Sequence, residues 1–568
     1  MMLFIFFLVS LSIFFSTVGY GLLINNFIKF ENSNYNYGLM GLLGLFLLTI
    51  ISNLTHIILP HNYIHNLIII FFGFLIFFFD KKFSFKNFKY LLLLFILLFV
   101  SIVMAKTNED FGYYHSPNSI QFAQQKLQFG LGNLNHGFKH ISSLFMLMSL
   151  HYLPFFEHYL FNLSNLLFLV YLVTFILIKI YERDNKTSDF LKLILLFLVI
   201  LFLTKFSRLA EYGSDLSGQI TISIYLFYLI KFTFENSLSF ETRLKYLKIA
   251  IIFLTFSITL KFISIIYSLP LLLVILISKK KFFYNCLKLK FLLLPIFSIS
   301  LFLLNNFSST GCLVYPIEKL CFVDEFNWAL DIETIKHLRF HYEIWAKAGL
   351  GPNYSTLDQN NYVMNFNWVS NWFTKYFIGK FSDYLLVIAL IIIIITLFFY
   401  KEIFLSRKNN LNFSKFEISI FLIFYVSFLV ILTVWFYNFP TLRYAGYIIV
   451  YFTFIFPVSY FLSTKINFSK SITAKKISTL LIISFLVFLF KNIDRINTEF
   501  KISELNHHNF KNFPFYWVKK EEFSKTYIDD YPVYITNGSC WNIPAPCIRK
   551  SSNLEIIRKK NYIFYKIK

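Results

Sequence analysis

Tyr384-Leu-Leu-Val-Ile-Ala-Leu-Ile-Ile-Ile-Ile-Ile-Thr-Leu-Phe-Phe-Tyr400 runs without a single charge, and Lys401 and Glu402 follow it at once. A helix of that length rises about 25 Å, close to the ~30 Å of hydrocarbon in a bilayer. Comparable runs occur at Leu39–Leu59, Tyr90–Ala105 and Tyr159–Ile178. Of the 568 residues 57% are hydrophobic and 15% are charged, whereas a soluble chain carries roughly a quarter charged residues. The soluble globular class is excluded, and the expected fold is an all-α polytopic membrane protein.

The formal charge of +23 raises the question of a nucleic-acid partner. Its distribution answers against one. Six short connectors, Asp80–Lys89, Lys179–Lys192, Lys231–Lys248, Lys279–Lys290, Lys401–Lys415 and Lys465–Lys476, hold 25 Lys/Arg against seven acidic residues. Short basic loops stay cytoplasmic during insertion, so this charge is a topology signal. Placing all six inside puts the stretches rich in Trp, His, Gly, Asp and Cys outside. Met1–Leu23 lacks a basic leader and a small-residue cleavage site and is read as a retained span. The alternation predicts about 14 spans, with Ile141–Leu153 too short to cross and Ile249–Ile277 forming two short spans bent near Lys261. The expected division is 1–105 (N-terminal spans), 106–307 (core, with a first external loop 106–140), 308–382 (external insertion), 383–490 (C-terminal spans) and 491–568 (external C-terminal segment). Localisation in a bacterial inner (plasma) membrane, with large loops and C-terminus periplasmic, follows from that orientation.

The cysteines agree. Cys312 and Cys321 form one close pair and Cys540 and Cys547 another, both in expected external segments where disulfides persist. Two local disulfides are expected. Neither pair has zinc-type spacing.

The first external loop places Glu109, Asp110 and His115 directly after a span. A carboxylate there can accept a proton from a hydroxyl or hold a divalent cation against a phosphate; the plain alternative is a water-facing helix end. Arg208, Glu211 and Asp215 fall within eight residues between two spans, and ionisable residues near bilayer depth are usually functional or paired. Lys261 interrupts a long apolar stretch, as an anion ligand or as a simple loop residue. Arg443 stands at another rim, where a planar guanidinium suits a phosphate and equally suits an interfacial anchor beside Tyr444. These loops describe an outward-facing cavity lined by acids and isolated cations.

Asp110-Phe-Gly-Tyr-Tyr-His115, Gly130-Leu-Gly-Asn-Leu134, Gly213-Ser-Asp-Leu-Ser-Gly-Gln219, Lys261 and Cys540-Trp-Asn…Pro-Cys547, spread over residues 100–550, resemble an uncharacterised family of bacterial multi-pass proteins. That family is itself similar to the GT-C-fold glycosyltransferases, multi-pass enzymes that use polyprenyl-phosphate sugars. Where the family carries an arginine after Gly-Asn-Leu, this chain reads His136-Gly-Phe-Lys139, a point charge without a bidentate fork. The resemblance implies a GT-C-like bundle that transfers a sugar from a polyprenyl-phosphate donor to an envelope glycan or lipid acceptor. Asp110 or Glu109 is then the base. His115, Lys139, Arg208, Glu211, Asp215, Lys261 and Arg443 line the substrate site. No cofactor is certain, and a divalent cation (Mg2+ or Mn2+) is the one candidate. The competing readings are a lipid-carrier transporter, a polysaccharide polymerase and a non-catalytic membrane protein.

Overall fold

The structure, a computed structural model, describes the chain apart from residues 31–34, 81–84, 104–108, 183–186, 210–212, 236–237, 279, 287, 352–353, 406–414, 469, 502–520, 550–553, 561 and 568. It is 74% helical. In hydrocarbon no water satisfies the backbone, so the apolar runs close their own hydrogen bonds as helices.

Among the described residues nine helices are long and apolar enough to cross a membrane, and Tyr63–Phe78, Phe88–Ile102 and Phe262–Ile277 are shorter apolar ones. This is a multi-pass membrane protein. The helix Ser214–Phe234 is enclosed on all sides, whereas the apolar windows of Val369–Phe398, Lys415–Asn438 and Ser471–Glu499 are mostly exposed. Those three present Leu, Ile and Phe outward, as lipid-facing helices do. Polar caps mark several starts: Asn36 accepts from the Leu39 amide at 3.1 Å, and Asn62 from that of His65 at 3.0 Å. The helix breaks where a bend was expected near Lys261, which separates the helix Phe240–Leu260 from the turn Phe262–Tyr267. Ile141–Leu153 contains only the short buried helix Ser143–Ser149.

Close helix packing relies on small residues, because lipid supplies no hydrophobic drive between helices. A Cβ on Gly21 would overlap the Met40 carbonyl, one on Gly44 the Thr17 carbonyl, and one on Gly19 the Gly73 carbonyl. Met2–Ile28 therefore lies backbone to backbone against Tyr37–His56 and Tyr63–Phe78.

The C-terminal segment also carries strands: Phe523–Ile528, Tyr531–Thr536 and Cys547–Arg549 form a three-stranded sheet, its first pair antiparallel and its second parallel, and Leu554–Lys559 pairs with Tyr562–Ile567 as a hairpin. Strand alternation over six residues is a weak signal beside spans of twenty. Val533, Ile548, Leu554, Ile556 and Tyr565 share one core with Leu131, Leu134 and Phe138 of the 106–140 loop. Helices run through the expected boundaries near 307, 382 and 490, as Leu289–Thr310, Val369–Phe398 and Ser471–Lys501.

Gly44→Leu is expected to lower stability in detergent by about 1–3 kcal/mol, the usual cost of overpacking. Gly379→Leu, where nothing lies within 4 Å of the added Cβ, is expected to leave the thermal midpoint unchanged. Equal midpoints for the two variants would contradict the packing.

Candidate active site

Four segments converge at one end of the bundle. Asp110 opens the turn Phe111–His115, which continues into the helix Ser116–Gln124. Asp215 lies in the first turn of Ser214–Phe234, where the helix dipole favours a negative charge. Lys261 occupies the break after Phe240–Leu260. Arg443 lies in a turn before Tyr447–Ser463 whose backbone leaves helical geometry at Tyr444 and Ala445 (φ 62°). That irregular turn is held by side chains. The Tyr267 hydroxyl donates to the Ala445 carbonyl at 2.6 Å, and the Ile448 amide donates to Gln219 Oε1 at 3.1 Å. The Leu442 amide donates to the Tyr376 hydroxyl at 2.7 Å.

The charges form an alternating ladder. Asp110 Oδ2 meets Arg443 Nη2 at 2.5 Å, Arg443 Nε lies 3.3 Å from Asp215 Oδ2, and Asp215 Oδ1 binds Lys261 Nζ. Lys261 Nζ also donates to the Arg443 carbonyl at 2.9 Å, closing the loop. The Tyr114 hydroxyl lies 3.4 Å from both Asp110 Oδ2 and Arg443 Nη2. The Tyr444 ring lies under both cations, 5.1 Å from Lys261 Nζ and 5.9 Å from Arg443 Cζ. Exposure is graded along the ladder: the side chains of Asp215 and Lys261 are 10% and 16% exposed, those of Asp110 and Arg443 27% and 36%. A ligand meets the Asp110–Arg443 end first.

Burial acts to raise the Asp110 carboxyl, and the Arg443 guanidinium, helped by His115 and His140, more than reverses this, so its pKa lies below the ordinary value. Burial lowers His115 and His140 to about 4, so both rings are neutral at pH 7.

The motifs quoted above meet physically. Gly112 takes the Trp541 ring where a side chain would clash, and the Trp541 amide donates to the Gly112 carbonyl at 2.9 Å. Asn135 Nδ2 donates to Cys540 Sγ at 3.0 Å. The His115 ring fills the space a Cβ on Gly213 (φ 47°) would need. Cys312 is bonded to Cys321 and Cys540 to Cys547, as expected.

Other expected site residues lie apart from the ladder. Glu109 is exposed. Arg208 stands near Lys205 and Lys491, and Asp215 pairs with Lys261 and Arg443 instead. Glu211 lies outside the described residues. Lys139 lines a neighbouring cavity. The sequence reading missed Tyr114, Gln219, Tyr444 and Trp541; Tyr114, Gln219 and Trp541 sat inside the quoted motifs, but only contact reveals their work. Both ladder carboxylates are engaged by cations, and no group of three or more His, Cys, Asp or Glu among the described residues is arranged to hold a metal ion. The donor set does not fit a divalent cation, and no step is derived through one.

Fold and site together define a multi-pass helical membrane protein with a paired-charge cluster at one end of its bundle. The chain belongs to the family described as a domain of unknown function, DUF8201, whose model matches residues 2–450. No curated protein and no solved structure matches it.

Asp215→Asn, which strands two cations in a nearly closed site, is expected to cost about 3 kcal/mol, the low end for a broken buried pair. Asp110→Asn at the open end is expected to cost about 1 kcal/mol or less. Chemical unfolding in detergent compares them, and equal losses would refute the graded ladder. Stability is also expected to fall as pH drops from about 6.5 toward 4. The unfolded chain takes up protons on His115 and His140 near their ordinary pKa of ~6.5, and the folded chain resists until about 4. The thermal midpoint against pH measures this, and His140→Gln is expected to flatten part of the slope.

Proposed function

We propose that this protein is a GT-C-like glycosyltransferase of a bacterial inner membrane, moving a sugar from a polyprenyl-phosphate donor to an envelope glycan or lipid acceptor on the periplasmic side. The nine long helices, the three shorter ones, and the helices Asp189–Lys205 and Phe240–Leu260 make about fourteen spans in this reading. The basic connectors then lie inside, and the ladder and the C-terminal sheet outside. The observation that carries the proposal is the convergence of Asp110, Asp215, Lys261 and Arg443 from four distant segments on one partly open cluster.

The chemistry follows from the pairing. Clamped by Arg443, Asp110 is a weak base. A donor phosphate competes for the guanidinium, which suits it as a planar fork, with Lys261 as a second cation. Drawing Arg443 toward phosphate frees the Asp110 carboxylate and raises its basicity. Asp110 then takes the proton from an acceptor hydroxyl as that oxygen bonds to the anomeric carbon. The bond from that carbon to the phosphate oxygen breaks, its electron pair leaves with the polyprenyl phosphate, and configuration inverts. Stabilising that leaving charge is the largest electrostatic contribution. Donor binding and base activation are thereby one event. A second reading, a non-catalytic brace, is favoured by the complete pairing of the four charges.

Mass spectrometry of envelope glycans from strains with and without the protein tests this. Asp110→Asn is expected to lower the protein-dependent modification about 10²-fold or more at equal expression. Modification at the wild-type level in that variant, with a lowered thermal midpoint, would leave the brace.

A further inference from the structure

Beside the ladder lies a cavity of about 200 Å3 lined by Gly132, Asn135, His136, Lys139, Asp331 and Arg549, among others. Its floor is the 130–140 loop, which is fixed from three directions. The Gly130 amide donates to the Ser308 carbonyl at 2.7 Å. Asn133 Nδ2 donates to the carbonyls of Trp328 at 2.9 Å and Tyr565 at 3.0 Å. Ser309 Oγ donates to the Phe138 carbonyl at 2.7 Å. Its far wall is the C-terminal sheet, where Arg549 pairs in register with Thr536.

Two cations from distant parts of the chain, Lys139 and Arg549, line this space, and neither side chain makes a hydrogen bond or ion pair among the described residues. Buried cations elsewhere do: Lys231 with Glu235, Lys261 with Asp215, Lys347 with Glu343, and Arg495 with the Val103 carbonyl. Asp331 is near Lys139, but its two oxygens accept from the Thr334 amide at 2.7 Å and the Thr334 hydroxyl at 2.6 Å, capping the helix Ile332–Ala346. Burial pushes Lys139 down to about 8, the direction an unpaired ammonium takes. His136, lowered to about 3 by burial first and by His140 and Lys139 next, is neutral and adds no charge. The space is smaller than the ~300–1,000 Å3 of sites that enclose whole drug-sized ligands, so it takes one charged group and part of what carries it.

One layer of aromatic side chains joins this cavity to the ladder. The rings of Tyr113 and His136 lie 5.7 Å apart, and those of His140 and Tyr114 4.9 Å. Tyr342 bridges the two histidines, its hydroxyl 3.0 Å from His136 Nε2 and 3.2 Å from His140 Nε2. Tyr114 reaches Asp110.

We propose that Lys139 and Arg549 form an anion subsite that recognises an acidic acceptor, one whose carboxylate or phosphate group sits in this cavity while a hydroxyl of the same molecule reaches Asp110. This rests on the transferase reading. The donor phosphate is assigned to Arg443 and Lys261, which leaves the second cationic site to the acceptor. The C-terminal sheet thereby acquires a task, since it supplies Arg549.

The test is thermal-shift titration of the full-length protein in detergent with glucuronate, glucose and inorganic phosphate, in a chloride-free buffer. Glucuronate or phosphate is expected to raise the midpoint of the wild type, and glucose is not. Lys139→Gln and Arg549→Gln are each expected to raise the half-saturating concentration at least tenfold, with Lys139→Arg retaining binding. Arg549 is exposed, so its variant keeps the test valid where Lys139→Gln folds poorly. A response to glucuronate alone assigns a uronic acid, and a response to phosphate alone a phosphate-bearing acceptor; both support the subsite. No response to either anion, or equal responses in wild type and both variants, overturns it. Anion binding without any transfer sinks the transferase reading and spares the subsite, whereas transfer without anion binding sinks the subsite alone.

Discussion

A charge at the edge of hydrocarbon needs a partner, and in this protein four such charges answer one another. Asp110, Arg443, Asp215 and Lys261 come from positions up to 333 residues apart, and each is tolerable there only because the next is within reach. The ladder therefore constrains the helices that carry it. Ser214–Phe234 must start level with the Lys261 break, and the irregular turn at Tyr444 and Ala445 must stand opposite the turn that carries Asp110. Hydrogen bonds from Tyr267 and Gln219 hold that turn out of helical geometry. The surrounding order serves to keep one guanidinium between two carboxylates.

Such pairing has a chemical consequence. An Asp110 held down by Arg443 is a weak base, and an anion that competed for the guanidinium would raise its basicity. Exposure graded from Lys261 outward to Arg443 leaves the competition to the open end. The cations beyond the aromatic layer, whose side chains have no hydrogen bond or ion pair among the described residues, stand in contrast to the ladder, which is neutralised from within.

The segments between the long helices are organised around the described part of the 106–140 loop rather than hung from the bundle. That loop shares a core with the C-terminal strands, contacts the end of Leu289–Thr310, and takes Trp541 against Gly112. The bonded Cys540–Cys547 segment is thus brought to the turn that carries Asp110. A rigid loop is what a positioned carboxylate requires, because displacements of about 1 Å are costly in catalysis.

The membrane class was legible in the sequence because span length and the low charge fraction are local properties, readable from runs such as Tyr384–Tyr400 without knowing any neighbour. The break at Lys261 and both cysteine pairings were legible for the same reason: one charge in an apolar run, and partners nine and seven residues apart. Asp110, Asp215, Lys261 and Arg443 could each be named, but not joined. A pairing across hundreds of residues leaves no local trace, so whether Asp215 met Arg208 or Arg443 was settled only when the helices were in place. Tyr114, Tyr444 and Arg549 were invisible as site residues, since an aromatic or an exposed arginine acquires its role from what lies opposite. The strands of the C-terminal segment were likewise hidden, because short strands are stabilised by the surface they pack on, and that surface includes Leu131, Leu134 and Phe138. Composition and spacing determined the class of molecule; long-range charge pairing and packing decided the site.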